Sequence, residues 1–159
     1  MPTPRRVIIG VDGEGRSTVS SDKPASLSFD VGLATMHQLW LTTEMPADVT
    51  HDALEENPPD APLSQPAAGG SLFQLCIFKP HTESPMHKTD TIDYVVVMSG
   101  TIDLDTQDGR TATLSEGDCL VQRATLHRWA NRSDELCAIA VTCISTSADP
   151  DADTNIQLG

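Results

Sequence analysis

Along most of this chain apolar and polar positions alternate with a period of two, and the alternation breaks at glycine-rich turns rather than into a helical repeat. Arg5 to Ile9 reads as a first strand, Val11-Asp12-Gly13-Glu14-Gly15 as a hairpin turn, and Arg16 to Ser21 as the returning strand. Ala34 to Thr43 alternates next. Met36, Gln38, Trp40 and Thr42 share one face, and His37, Leu39, Leu41 and Thr43 share the other. After Gly69-Gly70 the strands follow closely: Leu72 to Lys79, Thr91 to Ser99, Thr101 to Thr106, Arg110 to Leu114, Cys119 to Arg123, His127 to Asn131 and Leu136 to Ser145. Gly100, Asp108-Gly109, Glu116-Gly117-Asp118 and Ser133-Asp134-Glu135 punctuate them. Short strands at such regular spacing predict an all-β sandwich or barrel, with no amphipathic helix of three turns.

Two segments fall outside the alternation. Glu44 to Gly70 scatters Pro46, Pro58, Pro59, Pro62 and Pro66 among acidic residues, and only His51 to Glu56 is suited to a helical turn. It reads as a long surface loop, either a lid over a pocket or plain cover. From Ser147 to Gly159 the chain is acidic, small and polar, the composition of a flexible tail. One structural domain is expected: residues 1–69 as strands and loop packed on a barrel, 70–146 as the barrel core, and 147–159 as the tail.

The alternation also exposes an anomaly. His87, Thr89, Asp93 and His127 occupy positions where a half-buried strand region calls for apolar side chains. Burying such groups unpaired costs about 2–7 kcal/mol each, so their convergence predicts a site. Asp93 pointing inward brings Val95 to the same face, as an apolar floor. His127 pointing inward brings Trp129, which either stacks on a substrate or fills core. Trp40 has the same two readings. Arg123, at a strand end, either clamps a substrate carboxylate or pairs with an acidic neighbour.

Composition narrows the classes of function. At 159 residues the chain suits one domain, and with aromatics at only 4% its core must be aliphatic. A net charge of −13 argues against nucleic acid or an anionic membrane as partner. No run of 18 apolar residues is present, and Val7-Ile8-Ile9 is too short for a signal peptide's apolar region, so a cytoplasmic location is expected. Cys76, Cys119, Cys137 and Cys143 have no CxxC spacing and lie in apolar runs, as small buried hydrophobes in a reducing compartment. The dinucleotide and phosphate-loop patterns are absent, so no nucleotide cofactor is expected.

Pro85-x-His87-x-Thr89-(x)3-Asp93-(x)6-Gly100 resembles the first motif of the cupins, and Gly117-Asp118-(x)8-His127-(x)3-Asn131 resembles their second. The resemblance spans about residues 70 to 145. It implies a double-stranded β-helix, the cupin jelly roll, here with extra N-terminal strands and the proline-rich loop. In metal-binding members His87 would be the first ligand, Thr89 would be a histidine, Asp93 a glutamate, and His127 the last ligand. One imidazole is therefore missing and the acid is a methylene shorter, leaving His87, Asp93 and His127. These are the ligand types of a non-haem Fe(II) triad, and Zn, Mn or Ni suit them as well. A divalent metal is expected on this resemblance, with a metal-free acid/base pocket as the alternative. Catalysis is assigned to His87, Asp93 and His127, and substrate contact to Thr89, Val95, Trp129, Trp40 and Arg123. The expected function is a lyase or isomerase acting next to a carbonyl on a small molecule of secondary or catabolic metabolism. The alternatives are an Fe(II) dioxygenase and a cupin that binds a small ligand without turnover. A homodimer paired through a sheet is the expected assembly.

Overall fold

Twelve strands and one short helix make up residues 2–147, the part of the chain that the computed structural model describes. The acidic tail lies outside the described residues, save Ser147. The strands are β1 (Arg5–Val11), β2 (Ser17–Pro24), β3 (Leu27–Asp30), β4 (Ala34–Thr42), β5 (Ser71–Phe78) and β6 (Thr82–Glu83). They continue as β7 (Thr91–Ser99), β8 (Thr101–Thr106), β9 (Thr111–Ser115), β10 (Cys119–Arg123), β11 (His127–Asn131) and β12 (Cys137–Ser145). The helix α1 is Ala53–Glu56, capped by the Asp52 side chain, which accepts from Glu55 N.

Every ladder is antiparallel. One sheet of six strands runs β10-β7-β12-β5-β4-β3, a second of four runs β6-β11-β8-β9, and β1-β2 stands apart as a hairpin. Both large sheets pair strands distant in sequence, β7 with β12 and β12 with β5 in one and β11 with β6 and β8 in the other, as an all-β jelly roll requires. β7 shows why the sheets pack. Its Thr-Ile-Asp-Tyr-Val-Val-Val-Met run is rich in β-branched residues, and its burial alternates strictly, with Thr91, Asp93, Val95 and Val97 in and Tyr94, Val96 and Met98 out. Val95 and Val97 join Leu72, Ile139 and Val141 of the same sheet and Ile102 of the facing one in a single core. Each such side chain stabilises the fold by about 1.5–3 kcal/mol.

Arg6 fastens the N-terminal hairpin. Its buried guanidinium donates to Leu39 O at 3.0 Å, to Asp52 at 2.8 Å and to Glu55 at 2.9 Å, tying β1 and α1 to β4. The loop from Glu44 to Gly70 is held against the barrel rather than adrift. Gln38 Nε2 donates to Leu63 O at 2.9 Å, and Gln65 Oε1 accepts from Asp90 N at 3.0 Å.

Three local features differ from expectation. β3 and β6 add strands that the alternation does not mark. A bulge between Gln38 and Trp40 inserts Leu39 into β4, so Gln38 pairs with Gln74 but Trp40 pairs with Phe73. One extra residue reverses the facing of everything beyond it. Trp40 therefore lies with the exposed Phe73 on the outer face of the large sheet, while Leu41 packs against the core. Cys119 is exposed on the outward side of β10, unlike the other three cysteines, which are buried.

Candidate functional site

The two histidines of the motifs are brought together by backbone. His87 N donates to His127 O and His127 N donates to His87 O, both at 2.9 Å, an isolated antiparallel bridge across residues 40 apart in sequence. Their rings consequently stand 4.5 Å apart, centroid to centroid, at 52°. Each ring is oriented by a carbonyl two residues before it. His87 Nδ1 lies 2.9 Å from Pro85 O, and His127 Nδ1 lies 2.9 Å from Thr125 O. A carbonyl only accepts, so these partners assign the proton to Nδ1 in both rings and leave Nε2 with its lone pair. The buried Gln122 braces this corner. Its amide nitrogen donates to Thr125 O at 3.0 Å and sits 3.1 Å from His127 Nδ1, while its oxygen accepts from Ala124 N at 3.2 Å.

Asp93 enters from the opposite sheet. It pairs across the ladders with Gln122 on β10 and with Cys143 on β12. Asp93 Oδ1 is buried with no hydrogen-bond partner among the described residues, and the same holds for Gln74 Oε1. Around these groups lies a cavity of about 210 Å³ with a mostly apolar wall. His87, Thr89, Asp93, His127 and Trp129 line it. Trp129 sets its edge toward His127 at 6.0 Å and meets Phe78 at 6.2 Å.

Electrostatics keep the deeper imidazole neutral. Burial pushes His127 below the ordinary histidine range; its Thr125 hydrogen bond opposes this, the neighbouring His87 adds to it, and Asp93 opposes it. Burial likewise pushes Cys76 up to about 12 and Cys137 to about 11. Cys143 is raised by burial, with Asp93 adding to it. These buried thiols are inert at neutral pH.

The fit to a divalent metal is divided. The donor types suit one, and both imidazoles carry the tautomer that ligation by Nε2 needs. The spacing does not suit one, because no three His, Cys, Asp or Glu side chains among the described residues are grouped to hold an ion. Thr89 stands where a further imidazole would complete such a set, and its hydroxyl accepts from Thr91 Oγ1 at 2.8 Å.

Three residues expected at the substrate lie elsewhere. Trp40 is turned outward by the bulge in β4, and the exposed Arg123 pairs with Ile92 at the outer end of β10. Val95 faces inward but is packed into the core, and the β12 partners of Val95 and Val97, Val141 and Ile139, reach the cavity. Sequence reasoning passed over Ser64, Gln74 and Cys143, which line it. Gln74 did leave a signal, as a lone polar residue within the apolar run Ser71–Phe78. Ser64 comes from the proline-rich loop, which therefore supplies part of the wall.

Residues 74–144 match the family described as Cupin domain. The chain is 37% identical over 140 residues to the Phomopsin biosynthesis cluster protein C' of Diaporthe leptostromiformis, a match covering 82% of this chain and 72% of that protein. It is 34% identical over 133 residues to the Cupin-domain-containing oxidoreductase srdD of Neurospora crassa, covering 79% of this chain and 65% of that one. Among solved structures, ectoine synthase from P. lautus superposes with a TM-score of 0.52 at 12% identity, over 74% of this chain and 67% of the other, a likeness of fold alone. With both motifs joined across one cavity between the two sheets of a jelly roll, and with these relatives, the chain belongs to the cupin superfamily.

Proposed function

We propose that this chain is a small-molecule enzyme of secondary metabolism, of lyase or isomerase type, that moves a proton at a carbon next to a carbonyl. The observation that carries this reading is the pair of imidazoles held 4.5 Å apart, each with Nδ1 tied to a carbonyl, in an apolar-walled cavity. His127, kept neutral by burial, takes the proton through Nε2. His127 passes that proton to Nε2 of His87 beside it, His87 hands it on to the carbonyl oxygen, and Asp93 steadies the imidazolium that forms on the way. Apolar walls formed by Phe78, Ile139 and Val141 keep water from the intermediate. The name of a relative from a biosynthesis cluster supports the metabolic setting.

Incubation with 2-hydroxy-1-phenylethanone, a one-ring ketone with a hydroxyl on its methylene carbon, in deuterium oxide tests this by NMR. Exchange of the methylene protons should run above the buffer rate and fall about 10²–10⁴-fold in His127→Ala, the usual worth of one acid/base group. Exchange at the buffer rate, or unchanged in that variant, removes the reaction.

A metal-assisted oxidation is the second reading, favoured by the oxidoreductase names of several relatives and by the ligating tautomers of both imidazoles. It requires His87, Asp93 and His127 to draw together when loaded. Metal analysis of protein purified without chelator separates the two readings: stoichiometric iron with substrate-dependent oxygen uptake supports the second.

A further inference from the structure

The chemistry of the cavity wall restricts what can occupy it. Leu33, Met36, Phe78, Trp129, Ile139 and Val141 form an apolar side. No lysine or arginine is among the residues that line it, although the chain has ten such residues in all. Asp93 is the one carboxyl group among the lining residues. Two residues that line the cavity carry buried acceptors without partners among the described residues, Asp93 Oδ1 and Gln74 Oε1. Unmet acceptors on residues that line an apolar-walled pocket favour a ligand that brings hydrogen, and they disfavour one that brings more lone pairs. An anion entering here would be desolvated beside a carboxylate with no cation to offset it.

From this we infer that the pocket selects an uncharged molecule of about one ring carrying a hydroxyl, an alcohol or phenol, and rejects carboxylates and phosphates, with Asp93 and Gln74 as the residues that determine the choice. Size agrees with chemistry. An engineered cavity of about 150 Å³ accepts benzene, so one of about 210 Å³ takes a singly substituted ring. A hydroxyl is suited to these acceptors because its one proton meets Asp93 or Gln74, whereas a carboxylate has none to offer. Anchored there, the ring would lie along Phe78 and Trp129, with its substituent in reach of the imidazoles.

The inference rests on the cavity being the substrate site proposed above, but its test reads binding and not turnover. Calorimetric titration of the full chain with benzyl alcohol and with benzoate, which differ little in size, decides it. Benzyl alcohol should bind about tenfold or more tightly than benzoate, the worth of one hydrogen bond to a charged group. Asp93→Asn should erase most of that preference. Should that variant fail to fold, Gln74→Leu should weaken the alcohol several-fold and leave benzoate unchanged. Equal or tighter benzoate binding overturns the inference. So does a preference preserved in the folded variants, or no detectable alcohol binding up to about 10 mM. Protein that prefers the alcohol yet catalyses no exchange keeps this inference and loses the reaction.

Discussion

His127 shows how one side chain answers to two demands. It is 2% exposed, yet it is polar and lines the cavity. The fold reconciles these by giving Nδ1 a carbonyl and keeping the ring uncharged. Stability then depends on pH in a definite direction. An unfolded chain's histidine titrates near 6.5, whereas His127 and His37 are both held lower by burial. Between the two values the unfolded chain binds more protons, so stability falls as pH falls. The urea midpoint should be flat from pH 8 to about 7 and decline from about 6.5 downward, by at most one proton's linkage per histidine. In His127→Gln the decline should be shallower. A midpoint that rises on acidification, or a slope unchanged in the variant, contradicts this account. Much of the site was legible at this scale, because polar residues inside an alternating strand have no other good explanation. His87, Asp93 and His127 stood out in that way. Cys143 did not, since a cysteine reads as an apolar filler, and only the ladder shows it opposite Asp93.

At the scale of elements, the turn between β7 and β8 fixes how the strand carrying Asp93 meets its neighbours. Gly100 there has φ of 77°, in the left-handed region, and an added Cβ would come within 2.5 Å of Leu136 O and 3.0 Å of Cys137 Cα. Gly100→Ala should therefore cost the left-handed strain, about 1–2 kcal/mol, plus displacement of the start of β12, for a total of about 2–4 kcal/mol. Gly109, in the β8–β9 turn, separates the two causes. Its φ is 82°, but an added Cβ meets nothing within 4 Å, so Gly109→Ala should cost the strain alone. Thermal unfolding of both variants measures the difference, and equal losses would mean that close approach at Gly100 matters little. Turns of this kind were readable in advance, since glycine between alternating runs is the strongest local signal of a strand end. The bulge in β4 was not. Leu39 is a good strand residue, and nothing local marks it as extra; the insertion is imposed by pairing with β5. β6 escaped notice for another reason: its two residues, Thr82 and Glu83, are too few to carry a period.

At the scale of the molecule, the two faces of the large sheet are unequal in a way that bears on assembly. The inner face is covered by the four-stranded sheet and the core between them. On the outer face Phe73, Tyr94, Val96, Met98 and Val121 are all exposed, and Val121 lies directly across from Tyr94 in the ladder. Scattered apolar residues on a surface need no explanation, but a contiguous set on one flat face marks a contact surface. A second copy of the chain is the occupant that we propose, in keeping with the homodimer expected from the sequence. The charge of −13 works against self-association through long-range repulsion, so the pairing must draw its strength from apolar burial and should tighten as salt screens the repulsion. Light scattering should give twice the chain mass at micromolar concentration, more completely at high ionic strength. A Val96→Glu, Met98→Glu double variant should scatter as a single chain that keeps its β-sheet circular dichroism, because both side chains are exposed within the monomer, and its unfolding temperature should no longer depend on protein concentration. Wild-type protein that scatters as one chain, or a variant that still pairs, would show that this face is simply tolerated exposure.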